Sequence, residues 1–450
     1  MTLTEYADRD ATDLLSLLKT HETTLSEILD CAYEAIHAFN PRLNAVVNIF
    51  DRALPPVTAG PLQGIPTLVK DLGLAVQGYP LTNGSHYCAT YIPTMDAPLL
   101  TTYKATGLTI VGKTNTSEFG LTPTTDSRYL GACGNPWNVA YSAGGSSGGA
   151  AAAVASGIVP IAHATDGGGS IRIPAASCGV VGFMPSSGVV PYASVIDPFR
   201  FARQFFITKT VRDARLLWHT LVPHQAPTSE NPAGATIGFV EVSPAGDDFH
   251  PDVAMALRNV VDRLTDGQDR ITECRLDFDL EEFYWAMWQI NAVELAVVIE
   301  AYRQRLGREP HGDELDPYTA YTLQRGRAMS GIETVRALRT VQHTVQRVNA
   351  QLQDIDILVT PVYADCTPPR HVLAPHHTER LDAQALRLFP YTRIFSATGH
   401  PATSIPVGLD ARGLPIGIQL VGQYGHERQL LSVAERVADP FVRAPVTDAC

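Results

Sequence analysis

Apolar residues along the chain follow two rhythms, one near 3.6 residues and one of short unbroken runs. The helical rhythm opens early: Leu25, Ile28, Ala32, Ile36 and Phe39 recur on one face, behind a Thr24/Glu27 pair that makes a capping box. Pro41 is expected to stop that helix. Between Gly64 and Phe119, short apolar strands alternate with helices. Residues Ala97 to Thr106 read as a helix capped by Gly107, and Leu108 to Gly112 as a buried strand. The same pattern returns with a helix from about Ser147 to Ser156, Gly157 as its cap, and a strand over Ile158 to Ala162.

Farther along, Val211 to Leu221 and Pro251 to Leu264 read as amphipathic helices on either side of a strand at Thr236 to Val242. Pro223 to Gly234 carries three prolines and reads as a surface crossover. Long helical stretches follow at Leu280 to Arg305 and Gly331 to Leu352. Strands return at Ile355 to Thr360, Ala402 to Val407 and Ile416 to Val421, the last after an Asp410–Gly413 turn. Strands and helices alternate at both ends with no evident linker and no internal repeat. The expectation is an α/β fold, one large mixed β-sheet covered by helices on both faces, in a single domain over 1–450.

Composition narrows the field of functions. The 34 Lys+Arg against 46 Asp+Glu give a formal charge of −12, which argues against nucleic acid as a partner because phosphate neutralisation needs a basic surface. Seven scattered cysteines with no CxxC spacing read as reduced thiols, not as a disulfide framework or a zinc site, so no metal is expected. The first ten residues are acidic and lack an apolar core, and the most apolar stretch, Ala150 to Ala164, is short and rich in Gly and Ala. Asp448-Ala449-Cys450 is not a prenylation box. A soluble, cytoplasmic protein with no membrane partner is the expectation.

Two glycine–serine segments carry the candidate chemistry: Ser142-Ala143-Gly144-Gly145-Ser146-Ser147-Gly148-Gly149 and Thr165-Asp166-Gly167-Gly168-Gly169-Ser170-Ile171-Arg172. Taken alone, each reads as a flexible loop, and neither has the form of a phosphate-binding loop. A serine behind a run of glycines can also expose its hydroxyl while the preceding backbone N–H groups converge on one point. Such a cluster can hold an oxyanion, an effect of about 3–4 kcal/mol per donor. A nucleophilic serine needs a base. His163 ends an apolar strand, where a histidine is more often packed than catalytic. Lys70, behind the apolar run Ile65 to Val69, meets the demand for a desolvated, neutral lysine, although a lone lysine is usually a solvated surface residue.

Taken together, these segments resemble the amidase signature family of serine hydrolases. The likeness extends over most of the chain: Gly64-Ile65-Pro66 to Lys70-Asp71, Gly112-Lys113-Thr114-Asn115, Ser117-Glu118-Phe119, Asn135-Pro136-Trp137-Asn138, both glycine–serine segments, Pro401 to Gly408 and Leu414 to Gln419. The resemblance implies the family fold, with a signature core at about 60–220, a variable substrate-shaping region at about 225–350 and C-terminal strands at about 353–440. It implies Ser170 as nucleophile, Lys70 as final proton acceptor, and Ser146, behind a cis peptide from Gly145, as relay between them. Gly167, Gly168 and Gly169, with the Ser170 N–H, match the oxyanion hole, and Ser147, Asp166 and Arg172 match bracing positions. The implied chemistry is amide hydrolysis through an acyl-enzyme, with no cofactor.

The sequence departs from the family at Phe183-Met184-Pro185, Cys133-Gly134 and Thr398-Gly399-His400-Pro401, which bears on substrate more than on chemistry. The aromatic cluster Phe283 to Trp288 places Trp285 and Trp288 either in the core or on a pocket wall, with Asn291 and His400 as candidate polar contacts. Ala162-His163 and Cys178 to Gly182 look nearest to the cyclic nylon-oligomer branch, which implies a small or cyclic amide as the small-molecule partner. A homodimer is compatible with the resemblance. The alternative is an amidotransferase A-type subunit that works with a partner protein.

Overall fold

The computed structural model describes residues 1–56, 60–190, 201–223, 234–265, 269–376 and 378–446. Among these, the strands are β1 (Val46–Leu54), β2 (Pro66–Lys70), β3 (Thr109–Thr114), β4 (Asp126–Ser127), β5 (Gly131–Ala132), β6 (Ile161–Asp166), β7 (Val181–Met184), β8 (Arg203–Thr208), β9 (Thr236–Phe239), β10 (Arg270–Glu273), β11 (Ile357–Pro361), β12 (Ala402–Leu409) and β13 (Pro415–Gly422). β4 and β5 pair as a small hairpin. The other eleven form one mixed sheet in the order β1-β3-β2-β6-β8-β7-β12-β13-β11-β9-β10. The expected α/β architecture is therefore present, with strands from both ends of the chain in one sheet.

β3, β2 and β6 run parallel, so Thr114, Lys70 and Asp166 end at the same edge of the sheet. The side chains of these three strands are buried along nearly their whole length, which is why the sequence shows unbroken apolar runs instead of alternation. In a parallel sheet the carboxyl edge is where loops can gather around a ligand.

One helix covers this edge from beneath. Gly148–Ala155, of sequence GGAAAAVA, is buried on every side. Only a helix of small residues can approach its neighbours this closely. A Cβ on Gly149 would lie 2.4 Å from the Asn115 backbone nitrogen and 2.6 Å from the Ala45 carbonyl oxygen. The helix thereby delivers Ser146 and Ser147, at its amino end, beneath the C-terminal ends of β2 and β6.

Several sequence expectations shift in register. Helix Leu25–Leu43 has its capping box, with Glu27 N–H to Thr24 Oγ1 at 3.3 Å and Thr24 N–H to Glu27 Oε2 at 2.8 Å. It runs through Pro41, which sits in the last turn, and ends at Asn44 in the left-handed region with φ 48°. β6 starts at Ile161 instead of Ile158, since Pro160 has no N–H to give to a ladder. The strand after the crossover begins at Thr236 as expected but ends at Phe239. Most of the Pro223 to Gly234 crossover, and residues 448–450, lie outside the described residues. Helices Leu280–Leu306, Pro317–Ala328 and Gly331–Gln351 make up the middle region; the second has no counterpart among the sequence expectations. Among the described residues, no helix is long and apolar enough to cross a membrane.

The close approach at Gly149 gives a direct test. Gly149→Ala forces a methyl into two backbone groups that cannot swing aside, and an overpacked core site costs about 1–3 kcal/mol or more. The expected result is a lowered midpoint in urea or thermal unfolding. An unchanged midpoint would mean that the helix does not sit against Asn115.

Candidate active site

The site is built on the two parallel strand ends. Lys70, last residue of β2, is fully buried, and its Nζ lies 2.6 Å from Ser146 Oγ, 2.8 Å from Ser147 Oγ and 2.9 Å from Thr165 Oγ1. Among the described residues, no carboxylate lies within ion-pair distance of Nζ. Burial pushes the lysine pKa well below its ordinary value, and the Asp166 charge opposes this without cancelling it. Three hydroxyls surround the amine. Ser147 Oγ lies 3.2 Å from the Thr165 carbonyl, which takes its hydrogen, so Ser147 accepts from Lys70. A neutral amine has two hydrogens and one lone pair. In that form, with Ser147 and Thr165 accepting its hydrogens, the lone pair is free to accept from Ser146 Oγ; ionised, Nζ donates to all three hydroxyls.

Ser146 follows Gly145 through a cis peptide bond. Gly145 itself packs against Thr124, where a Cβ would lie 2.4 Å from the backbone nitrogen. Ser146 and Ser170 both face one cavity of about 440 Å³, as do Thr165, Gly167 and Gly168. Its size falls in the range of small-molecule sites.

The loop that carries Ser170 is held by a buried ion pair. Arg172 Nε and Nη2 lie 2.9 and 2.8 Å from the two oxygens of Asp166, while Nη1 donates to Gln419 Oε1 at 2.6 Å and Nη2 also donates to Ser396 Oγ at 2.8 Å. Asp166 further accepts the Gly169 N–H at 2.7 Å and the Ile171 N–H at 3.1 Å. Burial pushes the carboxyl up, but the Arg172 charge and these hydrogen bonds outweigh it and bring the pKa down to about 2. The loop is thus wrapped around one carboxylate.

That wrapping alters one expectation. The family likeness groups Gly169 with the oxyanion donors, yet its N–H is committed to Asp166 and the residue does not line the cavity. Gly167, Gly168 and Ser170 do line it. Asp166 and Arg172 hold each other in the loop, and Ser147 contacts Lys70 and the Thr165 carbonyl. A second buried pair, Lys113 Nζ to Asp71 Oδ1 at 2.8 Å, ties the ends of β3 and β2 together. His163 is buried between Tyr103 and Phe206; its Nδ1 accepts the Lys70 N–H at 3.3 Å and its Nε2 faces Gln204 Oε1 at 3.1 Å. Burial drives its pKa down to about 3, so it is a neutral packing residue.

The pocket expectations divide. Asn291 lines the cavity, and with it Glu294, Leu295, Val298, Tyr302 and Arg305, all on one face of helix Leu280–Leu306 at helical spacing. Trp285 and Trp288 do not. Trp285 is 37% exposed at the outer surface, and Trp288 turns towards helix Pro317–Ala328, where its Nε1 donates to Tyr318 OH at 2.9 Å. The helical turn carries both indoles off the face that Asn291 presents. His400 is also elsewhere, beside Thr398 Oγ1 at 3.0 Å and in a small cleft with Leu352, Ile355 and Gln423. Its burial lowers the pKa to about 4.

Sequence reasoning passed over Thr165, although it lies in a segment singled out for its chemistry. It also passed over Arg393, an isolated cation in an otherwise unremarked helix. Both belong to the cavity wall.

Known proteins resemble this chain over most of its length. The Amidase family model matches residues 27–431. The 6-aminohexanoate-cyclic-dimer hydrolase of Pseudomonas sp. (strain NK87) is 31% identical over 471 residues, covering 95% of this chain and 94% of its own. The structure of a 6-aminohexanoate cyclic dimer hydrolase complexed with substrate superposes with a TM-score of 0.89 at 28% identity, over 98% of this chain and 99% of its own. A glutamyl-tRNA(Gln) amidotransferase chain from Thermotoga maritima, at 22% identity and a TM-score of 0.78 over 97% and 98% of the two chains, shares the fold.

The Asp166 cluster makes a stability prediction with a defined sign. Because the folded carboxyl titrates near 2, below its ordinary value of about 3.9, its stabilisation is complete above about pH 4. That stabilisation disappears as pH falls through about 2. Asp166→Asn leaves the buried Arg172 charge uncompensated, a loss of about 3–5 kcal/mol at neutral pH. Urea titrations of both proteins at pH 7 and pH 3 check this. Equal stability of the two at pH 7 would refute the account.

Proposed function

The chain belongs to the amidase family and is a hydrolase of amide C–N bonds; from that premise we propose that Ser170, Ser146 and Lys70 form its catalytic triad and work through an acyl-enzyme. The observation that carries this reading is the Lys70 amine, buried with no carboxylate in ion-pair reach among the described residues, 2.6 Å from a serine that shares a cavity with Ser170.

In the forward step, Ser170 Oγ attacks the amide carbonyl carbon. Its proton passes to Ser146 Oγ as the Ser146 proton passes to Lys70 Nζ. The carbonyl oxygen becomes an oxyanion, to which the backbone N–H groups of Gly167, Gly168 and Ser170 donate. Collapse of the tetrahedral intermediate breaks the C–N bond. The proton held on Lys70 returns through Ser146 to the leaving nitrogen, which would otherwise depart as a strongly basic anion. Water then attacks the ester at Ser170 by the same route, giving the carboxylic acid and free serine. Thr165 and Ser147 keep the Lys70 amine oriented by taking its two hydrogens, which points its lone pair at Ser146.

Small or cyclic amides are the proposed substrates. Support comes from the hydrolase of a cyclic dimer among the relatives and from a cavity of about 440 Å³ whose wall includes the apolar Leu72, Leu81, Phe119 and Phe389. We place the protein in the cytoplasm: the six cysteines among the described residues are free thiols, and burial holds those of Cys88 and Cys133 up at about 12, far from the reactive thiolate.

Two measurements follow. Ser170→Ala should lower kcat by about 10⁴ or more on any small amide that the wild type turns over. A mutant retaining more than a tenth of wild-type activity would remove Ser170 from the mechanism. Since only neutral Lys70 can take the proton, log kcat/KM should rise with pH at unit slope until Lys70 is deprotonated, then level off. A profile that falls between pH 6 and 8 would exclude Lys70 as the base.

A further inference from the structure

Arg393 lines the same cavity as Ser170, and nothing in the catalytic sequence above uses it. It stands on helix Thr392–Thr398, packed against the nucleophile loop. Thr392 Oγ1 donates to the Gly168 carbonyl at 2.8 Å, and a methyl on Gly168 would come within 3.2 Å of Arg393 Cγ. The arginine stem therefore lies over a glycine two residues from Ser170.

Its guanidinium is held by an aromatic ring instead of by a carboxylate. The Cζ atom sits 4.1 Å from the centroid of Tyr284, and Nη2 lies 3.4 Å from the Tyr284 hydroxyl. That hydroxyl donates to Asp382 Oδ1 at 2.9 Å, which also receives the Tyr318 hydroxyl at 2.7 Å; Tyr318 in turn accepts from Trp288. The nearest bonded carboxylate in this chain of contacts is thus one tyrosine removed from the cation. Among the described residues Nη1 is buried and has no hydrogen-bond partner. Guanidinium is a rigid five-donor fork, and its geometry matches a carboxylate in two parallel hydrogen bonds. A cation oriented by stacking and by an outer ring of hydrogen bonds, with donors unspent beside a substrate cavity, is a prepared anion receptor.

We propose that Arg393 is a specificity-determining residue that receives a carboxylate of the substrate, so that the protein prefers amides bearing an acid group away from the scissile bond. Tyr284 is a positioning residue, fixing the guanidinium through its ring face and hydroxyl. The inference rests on the amidase reading for its substrate class, but the carboxylate preference is measurable without turnover.

The test titrates the Ser170→Ala protein with hexanoate and with hexanamide at pH 8 by calorimetry, and repeats this with Arg393→Gln and Arg393→Lys added. Hexanoate should bind about tenfold or more tighter than hexanamide, as a charge-assisted hydrogen bond predicts. Gln should erase the difference, while Lys, which keeps the charge and loses the fork, should retain part of it. On the active enzyme, Arg393→Gln should raise KM for the monoamide of adipic acid more than it raises KM for hexanamide. Equal binding of hexanoate and hexanamide by the parent would overturn the proposal. So would a preference that survives in a Gln variant whose melting midpoint matches the parent's. If Gln does not fold, loss of the whole preference in a folded Lys variant supports the fork and an undiminished preference overturns it. Failure of the wild type to hydrolyse any amide would instead sink the amidase mechanism while leaving the binding comparison intact.

Discussion

An amine taken out of water with no carboxylate in ion-pair reach among the described residues is the constraint around which the site is arranged. Ionised, Lys70 carries a heavy desolvation cost; neutral, it has a lone pair that can take a proton. Burial favours the neutral form, and the nearby carboxylate, Asp166, is directed to Arg172 instead of to the amine. Satisfying Asp166 elsewhere is as necessary as burying Lys70. Were that carboxylate free to approach the amine, the attraction would restore the proton and remove the base.

The second arrangement follows from the first. To seat three hydroxyls around one nitrogen, the chain must bring a helix end and two strand ends within a few ångströms, which only small residues permit. The GGAAAAVA helix and the glycines on both sides of it serve this approach, and the glycine-rich loop before Ser170 serves another, by closing around the Asp166 carboxylate. Ser142 to Gly149, which looks like a flexible linker by its composition, is buried throughout. Its glycines mark proximity.

Much of this was legible in the sequence. The alternation of buried strands and helices, the paired glycine–serine segments and a lysine behind an apolar run each point to the sheet edge where the site lies. What the chain does not announce is direction around a helix axis. Phe283 to Trp288 is conspicuous because aromatic residues are large, but a helix turns about 100° per residue, and the face towards the cavity is set by where neighbouring helices pack. That depends on Pro317–Ala328 and Thr378–Leu388, distant in sequence, so Asn291 falls on the inner face while Trp285 meets solvent. His400 illustrates the same limit, since its surroundings come from residues 352, 355 and 423. Gly169 illustrates a finer one: whether a loop N–H points at a ligand or at its own carboxylate is a matter of a single peptide orientation.

The inner face of helix Leu280–Leu306 has a consequence for how such a protein can change over generations. Its cavity residues, from Asn291 to Arg305, recur every three or four positions on one element, whereas the groups assigned to bond-breaking sit on strands and loops of the sheet. Substitutions that reshape the wall can therefore accumulate on a surface element without disturbing the hydroxyls around Lys70. The molecule is divided like a lathe, with a fixed drive and an exchangeable chuck, and a lineage can acquire new substrates by altering a handful of codons in one contiguous stretch.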